Sequence, residues 1–158
     1  MPENTVEIIE ADISMLNTLI EFRLNYLNSI KSLTDEQKSA VILQLKDYFP
    51  RRLGTDCHCF LLYVDGVCVS SVYFIDCEKP AGTKFINGKT AMLMNVVTLP
   101  EHRKKGYASK LLEHVIEFAK QRGISCIDLS ATEMGQPLYK KHGFYCRGNS
   151  EMRLQIKD

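Results

Sequence analysis

The apolar positions change period along the chain, and each change marks an element. Residues 6–9 form a short strand-like run, after which Ile13, Leu16, Leu19, Ile20, Leu24 and Leu27 recur at three- and four-residue spacing. That spacing predicts an amphipathic helix with Asp12 as its N-cap and an end near Ser29. Thr34 or Asp35 is placed to cap a second helix through Val41, Ile42, Leu45 and Tyr48, with Pro50 expected to end it. Cys57–Val64 and residues 67–75 are apolar and β-branched, and the Asp65-Gly66 pair between them favours a two-residue hairpin.

Residues 77–89 contain Pro80, Gly82 and Gly88 and read as a loop, expected to border the functional site, leading into a strand over 90–98. Pro100 stops that strand. Leu111, Leu112, Val115, Ile116 and Ala119 then return to helical spacing up to Arg122, with Gly123 as a C-terminal cap. Residues 124–131 make a further strand, Thr132 or Ser130 caps a short helix through Tyr139 and Lys141 closed by Gly143, and 144–147 with 151–156 complete a terminal hairpin. No repeat, low-complexity tract or linker divides the chain, so the expectation is one α/β domain over residues 1–158 with a mixed sheet.

Composition narrows the function classes. The 158 residues are 45% hydrophobic and 25% charged, which suits one packed core and excludes a disordered chain. Twenty Lys and Arg against nineteen Asp and Glu leave a net charge of +1, so no global field draws nucleic acid, and no basic stripe is interleaved with aromatics. No apolar run approaches the roughly 20 residues that cross a bilayer, and the N-terminus lacks a signal-peptide pattern. The expectation is a cytoplasmic protein without a membrane partner. Cys57, Cys59, Cys68, Cys77, Cys126 and Cys146 lie mostly in apolar runs and are expected to be reduced. Cys57-His58-Cys59 invites a metal reading, but in a strand the two thiols share one face while His58 points oppositely, and no C-x-x-C pair supplies further ligands. No metal is expected.

The local charge cluster carries more. Arg103-Lys104-Lys105-Gly106-Tyr107-Ala108-Ser109 lies between a strand end and a helix start, where several backbone N–H groups lack intrahelical partners and the macrodipole is positive. Gly106 lets the backbone turn close to a ligand, and the small Ala108 leaves the next amides open. These residues predict a phosphate cradle, although the turn alone fits a solvated helix start equally well. Neither G-x-x-x-x-G-K-[ST] nor G-x-G-x-x-G is present. Arg103-x-x-Gly106-x-Ala108 instead resembles the R/Q-x-x-G-x-G/A acetyl-CoA loop of the GNAT N-acetyltransferase superfamily. A second segment, Leu138-Tyr139-Lys140-Lys141-His142-Gly143-Phe144, resembles the family's later L-Y-x-K-x-G-F, in the right order. The resemblance is specific over residues 90–144 and limited elsewhere to the order of elements.

The resemblance implies a mixed, mostly antiparallel central sheet flanked by helices, with a bulged central strand that splays from its neighbour. It implies acetyl-CoA as donor, its pyrophosphate held by backbone N–H groups of Lys104, Lys105, Gly106, Tyr107, Ala108 and Ser109 in the loop that Arg103 opens. The pantetheine arm would run along Val96, Val97 and Thr98, with the Val96 N–H polarising the thioester carbonyl. Tyr139 matches the family tyrosine that protonates the departing thiolate; helical spacing alone would make it a packing residue. Thr132 stands where many relatives carry an asparagine that contacts the donor arm. The central strand carries Met92, Met94 and Asn95 where relatives often place a glutamate base, leaving Glu133, Glu101, His142 or water as alternatives.

The acceptor is expected near the first two helices and the loop after the third strand, with Arg23 as a candidate partner for a substrate carboxylate beside Tyr26, three residues on. The leading expectation is transfer of an acetyl group from acetyl-CoA to a primary amine of a small molecule, by direct attack in a ternary complex. Acetylation of a protein or peptide and a non-catalytic coenzyme A sensor are the alternatives, with a nucleotide-binding regulatory domain behind them. Homodimers are common among such domains, but no residue here fixes one.

Overall fold

The computed structural model describes residues 2–157. Five strands form one sheet in the order β1-β2-β3-β4-β5: β1 (Val6–Glu10), β2 (Cys57–Val64), β3 (Val67–Glu78), β4 (Lys89–Thr98) and β5 (Cys126–Asp128). The first four pair antiparallel, whereas β5 runs parallel to β4. Helices α1 (Leu16–Ile30) and α2 (Asp35–Arg52) precede β2, α3 (Tyr107–Gln121) lies between β4 and β5, and α4 (Gln136–Lys141) follows β5. The result is the expected mixed, mostly antiparallel sheet flanked by helices.

The alternation of strand side chains decides what covers each face. On β2, Cys57, Cys59 and Leu61 join Leu19, Ile20, Leu45 and Phe49 of α1 and α2 in one core. Phe60, Leu62 and Val64 face the other way and pack with Val72 and Phe74 against Leu111, Leu112, Val115 and Ala119 of α3. Both faces are buried, which is why β2 reads as a continuous apolar run. The Tyr73 hydroxyl donates to the Leu19 carbonyl at 2.6 Å and ties β3 to α1.

Local signals account for most boundaries. Asp65 and Gly66 have φ of 49° and 81°, the paired left-handed geometry that a tight hairpin with right-handed twist requires. Thr34 and Gln37 form a reciprocal capping box at α2. The Asp12 carboxylate accepts from the Ser14 N–H at 2.9 Å and caps a short 3-10 turn that leads into α1.

Several expectations are corrected. α2 does not end at Pro50 but continues to Arg52, because proline removes only one helical N–H and buried Leu45 and Phe49 hold the last turn on the sheet. The strand expected over 124–131 shrinks to Cys126–Asp128, since β4 offers partners only at Thr90, Ala91 and Met92. The expected terminal hairpin is not formed: no strand is assigned over 144–157, and the only backbone hydrogen bond there that reaches the body is Phe144 N–H to Tyr139. The loop expected beside the functional site lies at the opposite end of α3 from Gly106, where the Asn87 side chain donates to the Gly123 carbonyl at 2.8 Å.

His58 points away from Cys57 and Cys59, whose sulfurs are 3.7 Å apart. Its ring packs on Phe74 and Phe118, and its Nδ1 lies 2.8 Å from a Glu10 carboxylate oxygen. Among the described residues, no helix is long and apolar enough to cross a membrane.

Burial pushes several weak acids up: the Tyr48 and Tyr139 phenols to about 12, the Cys68 thiol to about 11, and Tyr73 further. The folded chain then holds protons that the unfolded chain releases, so stability is full below the ordinary pKa values and falls as pH rises through the folded ones. Denaturant midpoints should be level from neutral pH to the thiol reference near pH ~8.5 and decline steadily above it.

Candidate active site

The site begins with a mismatch between β3 and β4. Ser71 pairs with Val97 and Tyr73 with Met94, so β4 carries one more residue than β3 over this stretch and bulges. Asn95 sits in the bulge with φ of 54°, a left-handed conformation that asparagine adopts more readily than other side-chain-bearing residues. It is buried and held from three directions. The Ser71 hydroxyl donates to the Asn95 carbonyl at 2.8 Å and accepts from its side-chain amide at 3.3 Å, while Arg23 of α1 donates to its Oδ1 at 3.4 Å. One residue further along, the Ser70 hydroxyl donates to the Val97 carbonyl at 2.9 Å and lies 2.8 Å from the Thr98 hydroxyl.

The bulge turns β4 away from β5. Pairing stops at Met92, and beyond it the edge of β4 that faces β5 has no strand partner among the described residues. A cleft of about 620 Å³ opens there. Val96, Val97 and Thr98 line one wall, Leu129, Ser130 and Thr132 the other, with Tyr26 and Tyr139 also at its margin. This is the splayed central strand expected from the sequence.

At the end of β4 a 3-10 turn over Pro100–His102 leads into the basic loop. Lys104 and Gly106 have φ of 61° and 81° and wrap the backbone into a tight turn before α3. Gly106 is the N-cap, with no side-chain cap, and the Lys110 N–H is the first to bond back, at 3.1 Å to the Gly106 carbonyl. The N–H groups of Tyr107, Ala108 and Ser109 therefore point out of the helix start without intrahelical acceptors. A Cβ on Gly106 would project into open space, so the left-handed backbone, not crowding, selects glycine. Lys104 and Lys105 are exposed, and Arg103 lines the cleft with its Nε donating to the Thr98 carbonyl at 3.1 Å.

The second motif closes the cleft. Tyr139 of α4 packs its ring edge-on against Phe144 and lines the cleft. Burial, with a smaller contribution from neighbouring Tyr26, raises its phenol to about 12, which keeps it protonated at neutral pH. Thr132 Oγ1 accepts from the Gly135 N–H at 3.2 Å and caps the turn before α4, although α4 itself starts at Gln136. The Ser109 hydroxyl and His142 Nε2 are 3.0 Å apart, joining the start of α3 to the end of α4.

Glu101, Glu133 and His142 do not line the cleft, whose only charged lining residue among the described residues is Arg103. Arg23 is half-buried, bound to Asn95 and 5.5 Å from the Tyr26 ring centroid. α1 lines the cleft through Asn25, Tyr26 and Ser29, but α2 and the loop after β3 contribute nothing. Sequence reasoning missed Asn95 as the bend, Ser71 as its support, and Ser70 as the tie to Val97 and Thr98. Their signal was available: a polar residue inside one apolar run and a pair of serines inside the neighbouring one.

The sequence matches the model of the Acetyltransferase (GNAT) family over residues 24–144, a span that includes the bulge, the basic loop and Tyr139. The chain belongs to this family. Comparison with curated proteins finds no match. Among solved structures, the GNAT fold of this chain is similar to that of a predicted acetyltransferase with acetyl-CoA from Clostridium acetobutylicum, at 21% identity and TM-score 0.82 over 97% of this chain and 96% of that one. It is similar to a GCN5-related N-acetyltransferase from Ralstonia eutropha JMP134 at 21% identity and TM-score 0.83, covering 95% and 99%. A ribosomal-protein-alanine N-acetyltransferase from Brucella melitensis biovar Abortus 2308 follows at 19% and 0.72, covering 96% and 99%.

If Asn95 sets the splay of this GNAT strand, its backbone angle and its hydrogen bonds should separate by mutation. Asn95→Val should cost roughly 2 kcal/mol or more in denaturant unfolding, because a β-branched residue resists the left-handed conformation and removes the side-chain bonds to Ser71 and Arg23. Asn95→Gly keeps the angle and should cost less. Equal losses would place the whole effect in the hydrogen bonds.

Proposed function

We propose that this acetyltransferase moves an acetyl group from acetyl-CoA to a primary amine of a small molecule, by direct attack while both are bound. The observation that carries the reading is the cleft itself, in which unpaired β4 backbone lies between an anion-ready helix start and a half-buried, protonated tyrosine. Free N–H groups and three basic residues suit a pyrophosphate, and an open strand edge suits an extended amide-bearing arm. Acetyl-CoA supplies the thioester carbon that accepts the amine.

On this reading the N–H groups of Lys104, Lys105, Gly106, Tyr107, Ala108 and Ser109 hold the pyrophosphate, with Arg103 at the mouth of the loop. Val96, Val97 and Thr98 align the arm, and the Val96 N–H stabilises charge on the carbonyl oxygen. Thr132 borders the arm from the β5 side. The Tyr139 hydroxyl donates its proton to the departing sulfur.

The acceptor end is formed by Asn25, Tyr26 and Ser29 with Met94 and Met134, and the whole cleft of about 620 Å³, which the donor arm would share, leaves room there for a small amine. Since no carboxylate among the described residues lines the cleft, the amine loses its proton to water before attack. The missing base also favours one other reading, a coenzyme A-binding module without turnover.

Titration calorimetry with acetyl-CoA, followed by thiol release against amines, amino acids and peptides, tests the assignment. Binding with amine-dependent release supports transfer; binding without release selects the module, and no binding refutes the loop assignment. Gly106→Val should chiefly raise the acetyl-CoA Kd, whereas Tyr139→Phe should leave Kd near wild type and lower kcat by about 100-fold. Equal loss of donor binding in both would remove this division of roles. The pH–rate profile should climb with the acceptor's own ionisation, without an acidic limb from a protein carboxylate and without an alkaline fall from Tyr139 below its value of about 12.

A further inference from the structure

The hydrogen bonds around Asn95 all run in one direction. The Arg23 guanidinium can only donate, so the Asn95 atom that it meets at 3.4 Å is the amide oxygen, and the amide nitrogen is turned to Ser71. The Ser71 hydroxyl accepts from that nitrogen at 3.3 Å, which leaves its single proton for the Asn95 carbonyl at 2.8 Å. Donor follows donor from Arg23 on α1, through the Asn95 side chain and Ser71, to the backbone of β4.

The peptide at the end of this chain of bonds joins Asn95 to Val96. It is trans, and in a planar trans unit the C=O and N–H point in opposite directions. Since Ser71 on β3 holds the Asn95 carbonyl, the Val96 N–H is aimed away from β3; Val96 is matched by no residue of β3 or β5 and lines the cleft. A carbonyl that accepts a hydrogen bond makes the N–H of its own unit a stronger donor, because aligned bonds polarise one another. Ser71 and Asn95 are buried, so water does not screen these links. Among the described residues no carboxylate pairs with Arg23 to cancel its charge.

We propose, building on the acetyl-transfer reading of the cleft and resting on it, that Arg23, the Asn95 side chain and Ser71 form a directed hydrogen-bond chain that aims and strengthens the Val96 N–H toward the acetyl thioester oxygen. As the amine adds to the thioester carbon, that oxygen gains negative charge, and the chain of dipoles brings it part of the influence of the Arg23 cation while every proton stays on its donor. Neither Ser71 nor Arg23 lines the cleft, so both are positioning residues. The links lengthen outward from 2.8 Å to 3.3 Å and 3.4 Å, which makes Ser71 the more influential of the two.

Infrared difference spectra of acetyl-CoA labelled at the carbonyl carbon and bound to the wild type should show the thioester stretch below its frequency in water. Ser71→Ala should return it toward the value in water, and this readout needs no turnover. Ser71→Ala should also lower kcat about 10-fold and Arg23→Met about 3-fold, each with the acetyl-CoA Kd and acceptor KM near wild type, while Arg23→Lys regains most of the loss. Ser71→Ala with Arg23→Met should be no slower than Ser71→Ala alone, because the first change already cuts the chain. If Ser71→Ala fails to fold, Arg23→Met, at a half-buried helix position, carries the same carbonyl readout. No acetyl-CoA binding, or no carbonyl shift in the wild type, would refute the donor reading and the chain with it. A wild-type shift that persists in both single variants, losses that multiply in the double variant, or an Arg23→Met effect confined to acceptor KM would overturn the chain alone.

Discussion

The architecture depends on one residue held in a conformation that side chains resist. Asn95 takes a left-handed backbone in the middle of β4, and Ser71 and Arg23 hydrogen-bond its carbonyl and amide. Without that turn β4 would continue alongside β5 and the sheet would close. With it, pairing ends at Met92 and a stretch of backbone is left facing a cleft. Burial makes the arrangement stable: Asn95 is 2% exposed, so each of its polar groups must find a partner inside the protein, and those available are fixed on β3 and α1. Arg23, a candidate partner for a substrate carboxylate, is one of these partners.

The remaining parts of the site are positioned by packing around that opening. α3 is fixed on the sheet by Leu111, Leu112 and Val115, which sets where its free N–H groups project. α4 is a short helix with little core of its own, and its position depends on the Thr132 cap, the Ser109 to His142 contact and the Tyr139–Phe144 ring pair. The two motifs that identified the family are therefore joined to each other physically, through Ser109 in one and His142 in the other.

What the sequence made legible follows from how local the causes are. The Asp65-Gly66 hairpin, the α2 cap and the Gly106 turn are set by residues within a few positions of one another, and they could be read directly. The extent of β5 depends on its partner strand, 36 residues earlier at Thr90 and Cys126, where β4 soon turns away, so the run over 124–131 looked longer than its pairing allows. Residues 144–147 and 151–156 have strand character, but no strand partner among the described residues. Asn95 was visible as a polar residue in an apolar run; its function as a bend was not, because that depends on Ser71 across the sheet and Arg23 on α1. Pro50 misled for the opposite reason, since the local penalty of one lost hydrogen bond was outweighed by tertiary contacts of Leu45 and Phe49.

The electrostatics of the cleft divide its work. Positive charge and free N–H groups are concentrated at the basic loop, where an anion would be held, and the transfer region beyond it is lined by methionine, aliphatic, hydroxyl and amide side chains without an acid. Burial that raises the Tyr139 phenol acts on any amine entering the same region in the opposite sense, because in both cases the neutral form is favoured over the charged one. An ammonium ion loses hydration there with no carboxylate to compensate, which lowers its pKa, while the phenol keeps its proton. A single physical cause thus supplies the two neutral partners that the proposed reaction needs, an unprotonated nucleophile and a protonated acid, and it does so without a dedicated base.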